Sequence, residues 1–192
     1  MTLILASASP RRKELLELFR VPFVIRAADI DETLDSAKSA FDEVARVSCL
    51  KAMAIPRQPG DVVIAADTIV VCEGKVLGKP RSEEEAEAML KLLSGRDHQV
   101  MTGVTVLRSD RAVTFTEVTD LHFRELSEKE IRAYVATGEP MDKAGAYGIQ
   151  GGAALFCTHM VGDYYNVMGL PVCRLGQILR EMAPEMMGEE SV

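Results

Sequence analysis

Hydrophobic and polar positions along the chain follow two periods, and the switches between them mark its elements. Met1 to Ala6 reads as a strand at 2–6, followed by a helix from about 10 to 19. A second helix is expected at roughly 36–54, after a loop, and then an apolar strand at 62–72. Glu73-Gly74-Lys75 has the make-up of a tight turn into another short strand. Ser82-Glu83-Glu84-Glu85 has the form of a capping box opening a helix to about Leu93. Two long strands follow near 98–108 and 112–124, split by Ser109-Asp110-Arg111. A second capping box, Ser127 to Glu130, opens a helix that ends before Gly138-Glu139-Pro140. A Gly-rich loop, a strand near 153–161, another loop and a terminal helix from Pro171 complete the order. Some strands are adjacent in sequence and others are separated by helices. The expected fold class is therefore α/β, a mixed sheet with flanking helices.

The 192 residues, 47% of them hydrophobic, can bury a core without disulfides or metal staples. One domain over 1–192 is expected, with the Met-, Glu- and Gly-containing tail at 184–192 frayed. Apolar runs such as Val62 to Ala66 are too short to span a bilayer, and the start lacks the basic region of a signal peptide. A cytoplasmic protein without a membrane partner is the expectation. A formal net charge of −7 disfavours general nucleic-acid binding, which is dominated by phosphate neutralisation. A phosphorylated small ligand would need a local basic cluster, a metal ion, or both. Cys49, Cys72, Cys157 and Cys173 are scattered in apolar contexts and read as small buried hydrophobes. His98, His122 and His159 are isolated, and none is assigned a catalytic role.

Four segments break local preferences, and such places tend to be functional. In Ser7-Ala8-Ser9-Pro10-Arg11-Arg12-Lys13, Ser9 and Pro10 specify a helix start, yet three cations occupy a first turn that favours anions. A bound phosphate would reverse that cost; salt bridges to Glu14 and Glu17 would lessen it. Asp67-Thr68 interrupts a run that reads as buried on both faces, and a carboxylate there must be paired, metal-bound, or the end of the strand. Asp29-Ile30-Asp31-Glu32 is either a solvated loop or an oxygen ligand for a hard cation such as Mg²⁺. In Asp142 to Gly152, glycines permit close backbone approach to a ligand, and Gln150 carries both a donor and an acceptor for a base edge. A flexible loop is the alternative. Gly74 to Pro80 is not a P-loop: it has one residue too few between its glycines, and Pro80 stands where Ser or Thr would hold Mg²⁺. Lys79 and Lys51 can still bind phosphate as point charges.

Together these segments resemble the Maf family of nucleoside triphosphate pyrophosphatases. The matching pieces are Leu5 to Arg12 with Leu15, Asp31-Glu32, Lys51-Ala52, Ala65 to Val70, Gly78-Lys79-Pro80, Thr102-Gly103-Val104, Asp142 to Gly151, and Gly162 to Val167 through Gly169-Leu170-Pro171. They run in the family's order over residues 3 to about 176. The resemblance implies two lobes around a deep cleft, similar to the inosine triphosphate pyrophosphatase architecture, and a possible homodimer. It implies hydrolysis of a nucleoside triphosphate to the monophosphate and pyrophosphate with Mg²⁺ or Mn²⁺. Asp67 would accept the proton of the attacking water, and Glu32 would hold the metal with it. Arg12, Lys51 and Lys79, with Ser7 and Ser9, would bind phosphate, whereas Arg11, Thr68 and Gln150 match positions that set base specificity.

The Lys143 to Gly151 loop is similar to the branch acting on dTTP and UTP. Gln150 suits a neutral pyrimidine edge, where a carboxylate would suit a cationic methylated guanine. The chain departs from the family at Gly152-Ala153-Ala154, which replaces the usual Arg-Gly-Ala. Two alternatives stand beside this reading: a regulatory nucleotide-binding protein linked to septum formation, and a pyrophosphatase preferring CTP or 7-methyl-GTP.

Overall fold

A computed structural model describes residues 1–188. Among these residues lie seven strands: β1 (Leu3–Leu5), β2 (Phe23–Ile25), β3 (Val62–Cys72), β4 (Lys75–Leu77), β5 (Asp97–Arg108), β6 (Arg111–Phe123) and β7 (Cys157–Val161). The α-helices are α1 (Pro10–Glu17), α2 (Ala40–Met53), α3 (Glu83–Leu93), α4 (Glu128–Val135), α5 (Tyr164–Met168) and α6 (Val172–Met182). The strands form one sheet in the order β2-β1-β3-β5-β6-β7, with β4 paired to β3. β1 is parallel to β2 and β3, while the β3–β4 and β6–β7 pairs are antiparallel. The fold is thus mixed α/β. Among the described residues no helix is long and apolar enough to cross a membrane.

Serines start four of the helices. The hydroxyls of Ser9, Ser39, Ser82 and Ser127 accept from the backbone N–H groups of Arg12, Asp42, Glu85 and Glu130, each satisfying one orphan donor of a first turn. The box at Ser127 closes in both directions, with Glu130 accepting from the Ser127 N–H at 2.9 Å. The box expected at Ser82 closes in one direction only. Ser82 enters in a fully extended conformation (φ −149°, ψ 166°), and Glu85 accepts instead from the Arg81 N–H at 2.8 Å.

Several boundaries differ from the expectation. Capping by Ser39 starts α2 at Ala40 rather than 36, and residues 144–146 and 152–155 form 3-10 turns, so β7 begins at Cys157 rather than 153. The three-residue β2 and five-residue α5 were not anticipated, because such short segments carry no readable period. The cysteines are all free thiols, but only Cys72 is buried; Cys49 and Cys157 are half-buried and Cys173 is exposed. Apolar neighbours along the chain did not guarantee apolar neighbours in space. On α6 the inward face is Leu175, Leu179 and Met182, and Cys173 lies off it.

The chain divides into two compact units. The first comprises residues 1–67, 102–117 and 169 onward; the second comprises 68–101 and 118–168. In the first, Ile4, Ala6, Ala52, Ile55, Val63, Ala65 and Leu107 form a core cluster. Helix α2 lies close on β5, because Gly103 has no side chain: a Cβ there would collide with the backbone of Val44. The buried Ser48 hydroxyl adds a 2.8 Å hydrogen bond to the Thr105 hydroxyl. Pro184–Met186, in the segment expected to fray, form a 3-10 turn; Arg108 donates to the Met182 carbonyl at 2.6 Å and pairs with Glu185. Residues 189–192 lie outside the described residues.

In the second unit α3 packs against α4 and against the 144–146 turn. Aromatic residues are sparse in this chain, six Phe and four Tyr, yet Phe123, Tyr134, Tyr147 and Phe156 gather here in one edge-to-face cluster with His98. The His98 Nε2 lies 2.9 Å from the Tyr147 hydroxyl, and burial lowers the imidazole pKa to about 4. His98 therefore packs as a neutral core residue. His122 pairs with Asp97 at 2.7 Å.

Candidate active site

Strand β3 is buried without interruption from Val62 to Ala66, and Asp67 continues it. The strand does not end there, nor does Asp67 form a turn: it sits mid-strand with its side chain 12% exposed. A carboxylate in such a place requires a counter-charge. Lys51, in the last turn of α2, supplies it, its Nζ donating to Asp67 Oδ1 at 2.7 Å. The helix C-terminus is itself a favourable place for a cation. The same ammonium pairs with Glu32 Oε2 at 2.9 Å, so one cation bridges two carboxylates.

Glu32 is brought there by a loop fastened to α2. Asp31 is a turn former: its Oδ1 accepts from the Thr33 N–H at 2.9 Å, and its hydrogen bonds to Thr33 lower its pKa. Arg46 donates to the Thr33 carbonyl at 2.9 Å and holds Glu43 through Nε at 2.8 Å and Nη2 at 2.7 Å. Glu43, buried, accepts in addition from the Asp35 N–H at 2.7 Å. The Arg46 hydrogen bond, then that of Asp35, holds the Glu43 carboxyl down at about 2. Sequence reasoning missed Glu43 and Arg46; charges three residues apart on a helix are common and say nothing of a loop they clamp.

The basic helix start separates into distinct roles. Lys13 is exposed and pairs with Glu17 at 3.1 Å, as a solvated face would. Arg12 is half-buried; its Nε donates to the Gly169 carbonyl at 2.9 Å and its Nη1 to the Ser7 hydroxyl at 3.2 Å. Burial lowers the guanidinium pKa, and the negative charges of Asp67 and Glu32 work against that shift. Ser7, buried, also accepts from the Ser9 N–H at 3.2 Å. In both contacts Ser7 is the acceptor, so its O–H can still donate to an anion. Arg11 is half-buried beside Arg12 on α1. The first unit thus brings Ser7, Ser9, Arg12, Glu32, Lys51 and Asp67 into linked positions. The Gly169 carbonyl, 157 residues from Arg12, was not legible in advance.

The other three expected site residues lie in the second unit. Thr68 follows Asp67 in β3 and is half-buried. Lys79 is exposed between β4 and α3, in a segment tied to the Gly-rich loop by the Gly145 N–H donating to the Gly78 carbonyl at 3.0 Å. Gln150 is exposed at the tip of that loop, between the buried Ile149 and Ala153.

A divalent cation can be tested against the carboxylates. Among the described residues no three His, Cys, Asp or Glu side chains gather in a metal-binding group. Glu32 and Asp67 already share one cationic partner, however, and both offer hard oxygens. Mg²⁺ typically takes one or two carboxylates and completes its shell with water and substrate phosphate, so the pair fits such an ion.

Residues 2–182 match the Maf family model, described as a Maf-like protein. Relatives named dTTP/UTP pyrophosphatase from Bacillus cereus strain AH820 and Bacillus thuringiensis subsp. konkukian strain 97-27 are each 51% identical over 180 residues, covering 93% of this chain and 94% of theirs. A solved HAM1 protein from Coxiella burnetii shares the fold at 18% identity, with a TM-score of 0.53, covering 94% of this chain and 100% of that one. With a family match over nearly the whole chain and half of the aligned residues identical in such relatives, the chain belongs to the Maf family.

Proposed function

We propose that the chain is a metal-dependent pyrophosphatase that hydrolyses dTTP and UTP to the monophosphate and pyrophosphate, working in the cytoplasm as a homodimer. The observation that carries the reading is a buried carboxylate, Asp67, held by a lysine that also engages Glu32. A protein that only bound nucleotides would have no need of so costly a group. The name of the half-identical Bacillus relatives supports the choice of substrate.

In this mechanism Asp67 takes a proton from water as the water oxygen bonds to phosphorus, the α–β anhydride bond breaks, and pyrophosphate leaves. Lys51 orients the carboxylate by occupying Oδ1, so that the other oxygen receives the proton. Arg12, Lys51 and Lys79, with the hydroxyls of Ser7 and Ser9, bind phosphate oxygens and stabilise charge as it develops. Mg²⁺ or Mn²⁺ held by Glu32 and Asp67 would add Lewis-acid stabilisation of that charge. Arg11, Thr68 and Gln150 select the base, the Gln150 amide matching the donor and acceptor of a neutral pyrimidine edge.

The test is to incubate the purified chain and Mg²⁺ with dTTP, UTP, CTP, GTP, ATP and 7-methyl-GTP separately, and to resolve the products by ion exchange. Monophosphate plus pyrophosphate from dTTP and UTP, lost on adding EDTA, is the expected outcome. Diphosphate plus orthophosphate would refute the reaction class, and preferential turnover of CTP or 7-methyl-GTP would refute the base assignment. Binding without turnover would leave a regulatory nucleotide-binding protein.

A further inference from the structure

The Gly-rich loop of the second unit is held on both flanks by two residues outside it. Tyr134, near the end of α4, accepts from the Gly148 N–H at 3.0 Å through its hydroxyl, and that hydroxyl donates to Glu139 Oε1 at 2.8 Å. Glu139 Oε2 accepts from the Gly152 N–H at 3.1 Å. One phenol and one carboxylate therefore fasten Gly148 and Gly152, and Gln150 stands midway between these points. Glu139 is itself steadied by Lys143, whose Nζ donates to the Glu139 backbone carbonyl at 2.6 Å and to Asp142 Oδ1 at 2.6 Å. The glycine at 151 belongs to the same arrangement. A Cβ there would run into the Glu139 carboxylate and push it off both partners.

Loop fastening of this kind exceeds what packing requires. Ile149 and Ala153 are buried and would anchor a loop by themselves, whereas Gln150 to Gly152 form the exposed tip between them. What the two polar anchors add is a fixed height and direction for the residue between them. We propose that Tyr134 and Glu139 are positioning residues for base selection, acting on substrate through Gln150; the inference rests on the role given to Gln150 above.

The test compares the unaltered 192-residue chain with Tyr134→Phe, Glu139→Gln and Gly151→Ala. Tyr134→Phe keeps the ring that packs edge-to-face on Phe156 and removes only the hydroxyl. Glu139→Gln keeps one acceptor oxygen. Gly151→Ala displaces the carboxylate without deleting it. Two readouts are taken: steady-state kcat and KM for UTP and CTP with Mg²⁺, and amide hydrogen exchange over residues 146–153. Loss of one hydrogen bond corresponds to roughly tenfold. In Tyr134→Phe the KM for UTP is expected to rise about tenfold with kcat nearly unchanged, and the UTP/CTP ratio of kcat/KM to fall by a like factor. Gly148 exchange should quicken by at least about tenfold. Gly151→Ala should reproduce the selectivity loss, with Glu139→Gln intermediate. Faster exchange with an unchanged UTP/CTP ratio would make the pair a stabilising device and overturn the proposal. So would a lower kcat at constant KM, or lost selectivity without faster exchange. A wild-type chain that turns over no pyrimidine triphosphate would sink the functional reading and this inference with it, whereas an active wild type with unaltered variants would sink this inference alone.

Discussion

Lys51, 7% exposed and shared between Asp67 and Glu32, gives the two ends of its ion pair unequal consequences. In Asp67→Asn the lysine keeps Glu32, and the amide oxygen can still accept from Nζ, so no charge is orphaned. Folding should survive while the proposed proton acceptor is lost, with turnover falling roughly 10²–10⁴-fold. Turnover at the wild-type rate in a folded Asp67→Asn chain would refute the mechanism. Lys51→Met instead strands a buried carboxylate without its cation. Breaking a buried pair from one side costs about 3–5 kcal/mol, read as a lower urea midpoint. A Lys51→Met chain as stable as the wild type would mean that the pair contributes chemistry and no structure.

At the scale of elements, helix α2 connects the fold to the site. Its Val44 backbone sits against Gly103 of β5, its Ser48 bonds Thr105, its Glu43 and Arg46 clamp the loop of Glu32, and its last turn carries Lys51. Lys51 lies seven residues beyond Val44, about two turns, and so on the same face. Gly103→Ala should therefore do more than crowd a core. Its Cβ meets backbone, which cannot rotate aside as a side chain can, so α2 must shift as a body. The expected cost is about 1–3 kcal/mol, with an unchanged denaturant slope and a lowered turnover measured in the same preparation. Wild-type stability in Gly103→Ala would show that α2 accommodates the methyl group locally.

For the whole molecule, acid sensitivity has a named source. Burial puts the His98 pKa at about 4 in the folded chain, against an ordinary 6.5. Between those values the unfolded chain binds the extra proton and the native chain does not, so stability rises with pH through this window. The contribution is complete above about 6.5 and is lost as pH falls toward 4; the gap corresponds to about 3 kcal/mol. Glu43 and Glu130, both held at about 2 chiefly by arginine hydrogen bonds, contribute stability that is present above the ordinary glutamate value of 4.5 and lost as pH falls toward 2. Urea unfolding at pH 7, 6 and 5 should thus show a decline dominated by His98. His98→Gln retains a partner for the Tyr147 hydroxyl and does not titrate, so it should flatten that decline. A variant that keeps the full decline would place the sensitive group elsewhere.

Much of this was legible in residue order alone, because it depends on local rules. Serine at a helix start, a period of two or of 3.6, and Gly next to a turn act within a few residues, and they located the long strands and the helices capped by Ser9, Ser82 and Ser127, while the cap at Ser39 went unread and its helix was placed from about 36. They failed where elements were too short to show a period, as at β2 and α5. Candidate site residues were legible as violations: cations at Arg11 and Arg12, and a carboxylate at Asp67 inside an apolar run. Which partner resolves each violation was not, since Lys51 is 16 residues from Asp67 and Gly169 is 157 from Arg12. Sequence determined by itself that a buried charge at 67 must be compensated, because desolvation is costly wherever the strand lies. Only the tertiary structure decided that Lys51 does so while also engaging Glu32, and that Tyr134 and Glu139 hold the loop of Gln150. Those pairings depend on how the chain returns on itself, and no short-range rule encodes that.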